Sequence, residues 1–345
     1  MQFIDLRSDT VTLPTPAMRE AMASSEVGDD VLGEDPTINR LEAMAAARMG
    51  KEAGLYVASG TMGNLVSLLT HCGRGEEIIV GSKAHVFLFE AGSVSALGSI
   101  HSRQVANQAD GTLKLDDIEA AIRSDNDHFP RSRVICLENT HNRCGGACLT
   151  ADYMRQVRAL ADRYGLRIHL DGARVFNAAV ALGVDVRELT RHADSVSFCL
   201  SKGLSAPVGS LVCGSAEFIH EARRARKVVG GGMRQAGVIA AAGIVALEEM
   251  VDRLADDHAN ARRLAAGMAD IPGIVLDPSR VQSNIIIFGL EEGALAPSTF
   301  CERLAGHGVK MSPVEGRQVR AVTHHGVEAE HIEQALTAIQ RVMAH

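Results

Sequence analysis

Tryptophan is absent from the sequence, tyrosine occurs three times, and aromatic residues together make up 3% of the chain. The core must therefore be assembled from Ala, Val, Leu, Ile and Met. An excess of positive charge is also missing. The formal net charge is −7 and the pI is about 6.1, which argues against a nucleic-acid partner. No stretch of the ~18 apolar residues needed to cross a bilayer occurs, so no membrane partner is expected. The N-terminal M-Q-F-I-D-L-R-S-D-T carries acids and no apolar core, unlike a secretory signal. The seven cysteines, at 72, 136, 144, 148, 199, 213 and 301, are an odd number in a chain without secretory features. Free thiols in a reducing cytoplasm are the simplest account, and a cytoplasmic location is expected. His141, Cys144 and Cys148 have the spacing H-x2-C-x3-C, but no second ligand pair stands nearby and no metal is assigned.

What the chain does have is length and small apolar residues. Its 345 residues are 46% hydrophobic, include 33 glycines and have a mean hydropathy of +0.04. That fits a soluble globular protein with one large and one smaller domain. Short apolar strands are expected at 53–58, 76–80, 133–137, 167–171, 196–202 and 209–213. Helical spacing appears at 16–23, 37–49, 64–70, 119–123, 154–164, 175–182 and 218–227. Strands alternating with helices predict an α/β fold, a mostly parallel central sheet flanked by helices. One long helix is expected over 235–266, as a bridge between domains. Beyond it the pattern becomes a small C-terminal α+β domain. The expected organisation is an N-terminal arm over 1–14, a large domain over 15–269 and a small domain over 270–345.

Two stretches carry chemistry. The first, V-S-F-C-L-S-K-G at 196–203, is an apolar run ending in Ser201 and Lys202. Ligands of open α/β sheets bind outside the carboxyl ends of the strands, and a lysine there is suited to Schiff-base chemistry. A solvated loop lysine is the alternative on this stretch alone. The second, R-I-H-L-D-G-A-R at 167–174, ends a strand in Asp171 and continues to Arg174. Asp171 precedes Lys202 by about one βαβ unit, ~30 residues. A lysine holding an aldehyde cofactor, with an aspartate on its ring nitrogen, is the pyridoxal phosphate arrangement. A third stretch, S-G-T-M-G-N at 59–64, is a small-residue turn entering a helix, which suits either a phosphate or a plain turn. His169 lies inside its strand and is expected as a satisfied core residue. The basic run Arg223, Arg224, Arg226 and Lys227 is expected as a solvated helix face.

Several segments, in order along nearly the whole chain, resemble the low-specificity L-threonine aldolases. They are R-S-D-T-V-T at 7–12, G-D-D-V-L-G-E-D-P-T at 28–37, S-G-T-M-G-N at 59–64, H-V-F-L-F-E-A-G at 85–92, L-E-N-T-H-N at 137–142, H-L-D-G-A-R at 169–174, L-S-K-G at 200–203 and G-G-G-M-R-Q at 230–235. The resemblance implies pyridoxal 5'-phosphate (PLP), the fold type I architecture of aspartate aminotransferase, and cleavage of β-hydroxy-α-amino acids to glycine and an aldehyde. It implies Lys202 as the cofactor-binding amine, Asp171 on the pyridine nitrogen, and Gly60, Thr61 and Ser201 on the phosphate. It implies that Arg234, with Lys227 as a further candidate, would reach a site from a neighbouring subunit, that His85 would stack on the cofactor ring, that Ser8, Arg174 and Arg320 would hold the substrate carboxylate, and that His128 would lie near the substrate hydroxyl. His324 and His325 are expected as satisfied core residues, although their place beside Arg320 keeps them as candidates. The base would be His85, His128 or a water held by them. The resemblance further implies a homotetramer, a dimer of dimers with sites at the dimer interface. Leu32 departs from the family's pattern, in which a tyrosine is common at that place, and Met62 and Gly63 depart from the commoner Q-A.

Overall fold

The computed structural model describes residues 3–344. Seven strands form the central sheet in the order Ala53–Val57, Ser210–Gly214, Ser195–Cys199, Arg167–Asp171, Ser132–Glu138, Glu77–Gly81 and His101–Val105. The five from Ser195–Cys199 to His101–Val105 run parallel. Ser210–Gly214 is antiparallel to both its neighbours. The sheet is thus mostly parallel and covered by helices, as the alternating pattern predicts. His101–Val105 carries little apolar signal, with Val105 its one buried residue, so its pairing with Glu77–Gly81 shows only in the fold.

Inner strands are buried on both faces, which is why they read as short apolar runs. The exception sets up the site. His169 pairs in register with Ser195 and Asp171 with Ser197, so one face of the sheet carries a buried polar strip. The helix Gly60–His71 lies over it, capped by Ser59, whose Oγ accepts the Met62 N–H. Gly63 faces this strip, where a Cβ would stand 3.4 Å from Ser197 Cβ, in ordinary contact.

The 235–266 helix is a correction. The structure has two helices, Gly237–Glu249 and Leu254–Ala269. The reason is packing. Ala240, Ala246, Leu247 and Met250 belong to the main core, whereas Ala261, Leu264 and Met268 belong to a second one. Leu254, at the start of the second helix, still packs in the main core, and the switch to the second core follows along that helix. The second core also contains Leu6, Ile286, Phe288 and Phe300. It packs a four-stranded antiparallel sheet, Ser312–Pro313, Gln318–Val322, Ile285–Leu290 and Ile274–Val275, against helices that include Pro297–Gly306 and Ala329–Met343. The N-terminal strand Ile4–Asp5 pairs in parallel with Val309–Lys310.

The basic run is a second correction. Arg226 is 3% exposed, donating to Asp30 and to the Tyr56 carbonyl, and Arg223 pairs with Glu42. The acids of 28–37 have matching work. Asp30 takes Arg226, while fully buried Asp35 caps the helix Pro36–Met49 through Thr37 and Ile38 and also accepts the Gly237 N–H at 2.8 Å. Asp35→Ala removes a cap worth about 1 kcal/mol and strands a buried N–H at a cost of about 1–3 kcal/mol. Thermal scanning of this variant is expected to show a melting temperature lower by several degrees; an unchanged melting temperature contradicts the double role.

Candidate active site

The carboxyl ends of the parallel strands bring the polar groups together. Asp171 ends its strand opposite Glu138 in register and is 3% exposed. Its Oδ2 accepts from Asn64 Nδ2 at 2.9 Å and its Oδ1 from the Ala173 N–H at 3.1 Å. Lys202 follows the end of the strand Ser195–Cys199. Leu200 N–H donates to Gly209 O and Ser205 N–H to Lys202 O, while Ser205 takes a left-handed φ of 64°. That conformation is uncommon outside glycine and closes a tight turn that carries the lysine.

His85 stands in the same crevice. Its N–H donates to Glu138 Oε2 at 2.7 Å, and its Nδ1 lies 2.8 Å from Glu90 Oε1. Ligating atoms of His85, Glu90 and Asp171 lie within 4.8 Å of one another. Hydrogen bonding to Glu90 raises the His85 pKa above its ordinary value against the opposing effect of burial; Asp171 raises it further and Lys202 lowers it. Burial pushes Glu90 up, opposed by His85 and Asn64. His85 therefore senses both Asp171 and Lys202, which places the three in one electrostatic environment.

Toward the second core, Arg174 forms a buried two-pronged pair with Asp9: Nε to Oδ2 and Nη2 to Oδ1, both 2.6 Å. Burial opposes a charge on Asp9, but the Arg174 guanidinium, with Lys202 and Asn284, holds its carboxyl well below the usual range. Ser8 caps the short turn Asp9–Val11, accepting from Thr10. Arg320 donates to Asn142 Oδ1 at 2.9 Å and to the Arg7 carbonyl at 3.1 Å, and its Nε is buried without a partner. Burial, then Arg174 and Arg143, depresses its pKa. Guanidinium groups close enough to disfavour one another's charge make a natural seat for a carboxylate. His324 binds the Asp5 and His325 carbonyls rather than the site.

At the other end, the first-turn N–H groups of Gly60–His71 have no partner within the helix. Ser59 takes that of Met62 and leaves those of Gly60 and Thr61. Ser201 is half-buried beside Lys202. Two expected residues stand apart from these within one chain. His128 lies on an exposed loop, its N–H held by Asn126 Oδ1. Arg234 is largely exposed and paired with Asp29 at 2.9 Å. Lys227 is likewise exposed, on the helix Ala216–Val228. Asp9, Asn64, Glu90, Glu138 and Asn142 are site residues not singled out from sequence. Each sits within a segment that resembles the aldolases, as its silent polar member.

A strand-end acid, a strand-end lysine and a helix N-terminus meet around one crevice, and the model of the beta-eliminating lyase family matches residues 5–290. Low-specificity L-threonine aldolase 1 of Arabidopsis thaliana is 47% identical, over 99% of this chain and 97% of its own. The low specificity L-threonine aldolase of Escherichia coli K12 is 46% identical, over 96% of each chain. In fold, a threonine aldolase from Leishmania major superposes with a TM-score of 0.81 at 19% identity, over 99% of both chains. The chain belongs to the low-specificity L-threonine aldolase family.

The Asp9–Arg174 pair yields a pH prediction. A carboxyl whose folded pKa is depressed contributes stability fully above the unfolded value, about 3.9, and loses it as pH falls through the folded value. Asp9→Asn leaves Arg174 buried without its countercharge, at a cost of about 3–5 kcal/mol. Chemical denaturation from pH 3 to 8 is expected to show a deficit in Asp9→Asn that is constant above about pH 5 and shrinks below about pH 4. A deficit that grows on acidification contradicts the pairing.

Proposed function

We propose that the chain binds PLP in this crevice and cleaves the Cα–Cβ bond of L-threonine, L-allo-threonine and other β-hydroxy-α-amino acids, releasing glycine and an aldehyde. The observation that carries this reading is geometric: ligating atoms of Asp171, His85 and Glu90 lie within 4.8 Å of one another at the end of one strand, and Lys202 follows the end of the strand paired with it. The residues fit the cofactor. A Cβ on Gly60 would stand 2.9 Å from Cys199 Sγ, so the helix start tolerates no side chain, and the nearby buried Ser210 hydroxyl has no partner. When bound, PLP supplies an aldehyde for amines and an electron-withdrawing ring that stabilises negative charge at Cα.

The chain's residues divide the remaining work. Lys202 provides the amine that anchors the cofactor. Asp171, held in place by its two donors, would face the pyridine nitrogen and hold its proton. Gly60, Thr61 and Ser201 take the phosphate. Arg174, Arg320 and Ser8 seat the substrate carboxylate and so fix the rotation of the Cα–Cβ bond. His85 donates from Nδ1 to Glu90, which leaves Nε2 to accept the proton of the β-hydroxyl as the aldehyde departs; a proton then returns to Cα to give glycine. Arg234 and His128, exposed on their own chain, serve a neighbouring copy's site, with Lys227 a further candidate. Exposed apolar Leu13 and Leu32 support such an interface. The working form is a homotetramer, a dimer of dimers in the cytoplasm.

The test couples aldehyde release from each threonine diastereomer to an alcohol dehydrogenase and NADH, with ammonium measured in parallel. Aldehyde and glycine in equal amounts, lost in Lys202→Ala, are expected. Ammonium release without aldehyde indicates β-elimination and overturns the reading. A second prediction concerns pH. A base acts when neutral, so a raised His85 pKa places the acid limb of the kcat profile above the ordinary histidine value of 6.5. Glu90→Gln removes the carboxylate and should move that limb downward. An acid limb that stays in place contradicts the dyad.

A further inference from the structure

Beneath the site, the polar strip of the sheet forms a hydrogen-bonded chain whose direction is fixed by valence. Asn64 is 1% exposed and uses every hydrogen-bonding position of its amide. Nδ2 lies 2.8 Å from Glu90 Oε1 and 2.9 Å from Asp171 Oδ2. Oδ1 lies 2.7 Å from Ser197 Oγ and 3.0 Å from His169 Nε2. An amide can be flipped, but flipping this one would set its oxygen against two carboxyl groups. With the nitrogen toward the acids, both Ser197 and His169 must donate to Oδ1.

The rest follows by elimination. Burial depresses the pKa of His169 to about 4 and that of His71 to about 3, so each ring is neutral and carries one N–H at neutral pH. His169 holds its proton on Nε2, and its Nδ1 must accept. The group facing that Nδ1 at 2.8 Å is Ser195 Oγ, which therefore donates. Ser195 Oγ then accepts from His71 Nε2 at 2.7 Å. His71 sits at the far end of the helix Gly60–His71, stacked on Phe218 with ring centroids 4.5 Å apart.

The geometry points to Asn64 and His169 as positioning residues for the reaction: donation running His71 to Ser195 to His169 to Asn64 locks the Asp171 and Glu90 carboxyl groups, and through Glu90 the His85 ring, into one frame. The inference rests on the reading of function above and deepens it. Asn64 is the only group among the described residues that donates to both acids. The acid proposed for the cofactor ring and the acid that orients the base therefore cannot shift independently. Each donor in the chain is neutral, so the chain itself brings no countercharge to the acids. Aligned hydrogen bonds also polarise one another. A core histidine with both nitrogens satisfied thus sets the geometry of a site it does not touch.

Neutron diffraction from crystals of the PLP-loaded enzyme reads the direction itself. Deuterium on Nε2 of His169 and of His71, with none on His169 Nδ1, is expected; deuterium on His169 Nδ1 overturns the proposal, whatever the reaction proves to be. Function is read with His169→Leu, which cannot donate to Asn64, and His169→Gln, which can. In His169→Leu, kcat should fall about 10- to 100-fold, the range for misplaced reacting groups, with KM changed far less. The pH midpoint of the bound cofactor's visible band should shift as well. His169→Gln should recover most of both. Equal losses of folded, PLP-binding protein in both variants mean that the residue is only packing, and the proposal fails. A wild-type enzyme that cleaves no threonine refutes the reading of function instead, and leaves the neutron result to decide the donor chain.

Discussion

A polar group as deeply buried as the Asp171 side chain needs hydrogen-bond partners, and everything at the site depends on how it is held. Its position comes from the parallel sheet, which ends the strand Arg167–Asp171 beside Glu138 and opposite Ser197. Its donors come from the helix Gly60–His71 through Asn64 and from the chain's own turn through the Ala173 N–H. The helix that presents Gly60 and Thr61 at its N-terminus thus also holds the acid at the opposite side of the crevice. One rigid element fixes the spacing between its own N-terminus and the acid, which is how a fold makes a site more exact than a loop does.

The second organising contact joins the two cores. Asp9 sits at the N-terminus, Arg174 just past the strand-end acid and Asn284 beside the small sheet, and all three meet without solvent. Arg320 approaches from that small sheet and is tied to Asn142 of the large one's loops. In the proposed reading, a substrate carboxylate seated there would touch both parts of the molecule, and the packing of the N-terminal strand would share its buried charges.

Much of this is legible in the sequence, for identifiable reasons. The helices Pro16–Ala23, Val175–Leu182 and Pro297–Gly306 have the bounds that proline, capping residues and apolar spacing predict. Lys202 and Asp171 stand out because a charge ending an apolar strand is unusual. The break at 250–254 is hidden because helix propensity is local, whereas the need to serve two cores is not. Arg226 reads as a surface charge because nothing in its own segment announces Asp30, 196 residues away. Asn64 and Glu90 escape notice for the same reason: each is an ordinary polar residue until the fold sets them 2.8 Å apart. His128 and Arg234 are exposed on their own chain and held by local partners, so the fold of one chain adds nothing to what their segments suggest.

The central claim is that the amine of Lys202, and no other, carries the aldehyde of the cofactor. The most direct measurement loads the enzyme with PLP, reduces it with borohydride and maps the tryptic peptides by mass. The account predicts one pyridoxyl phosphate group per chain, on the peptide containing Lys202. Label on a different lysine, or a chain that takes up none, contradicts it.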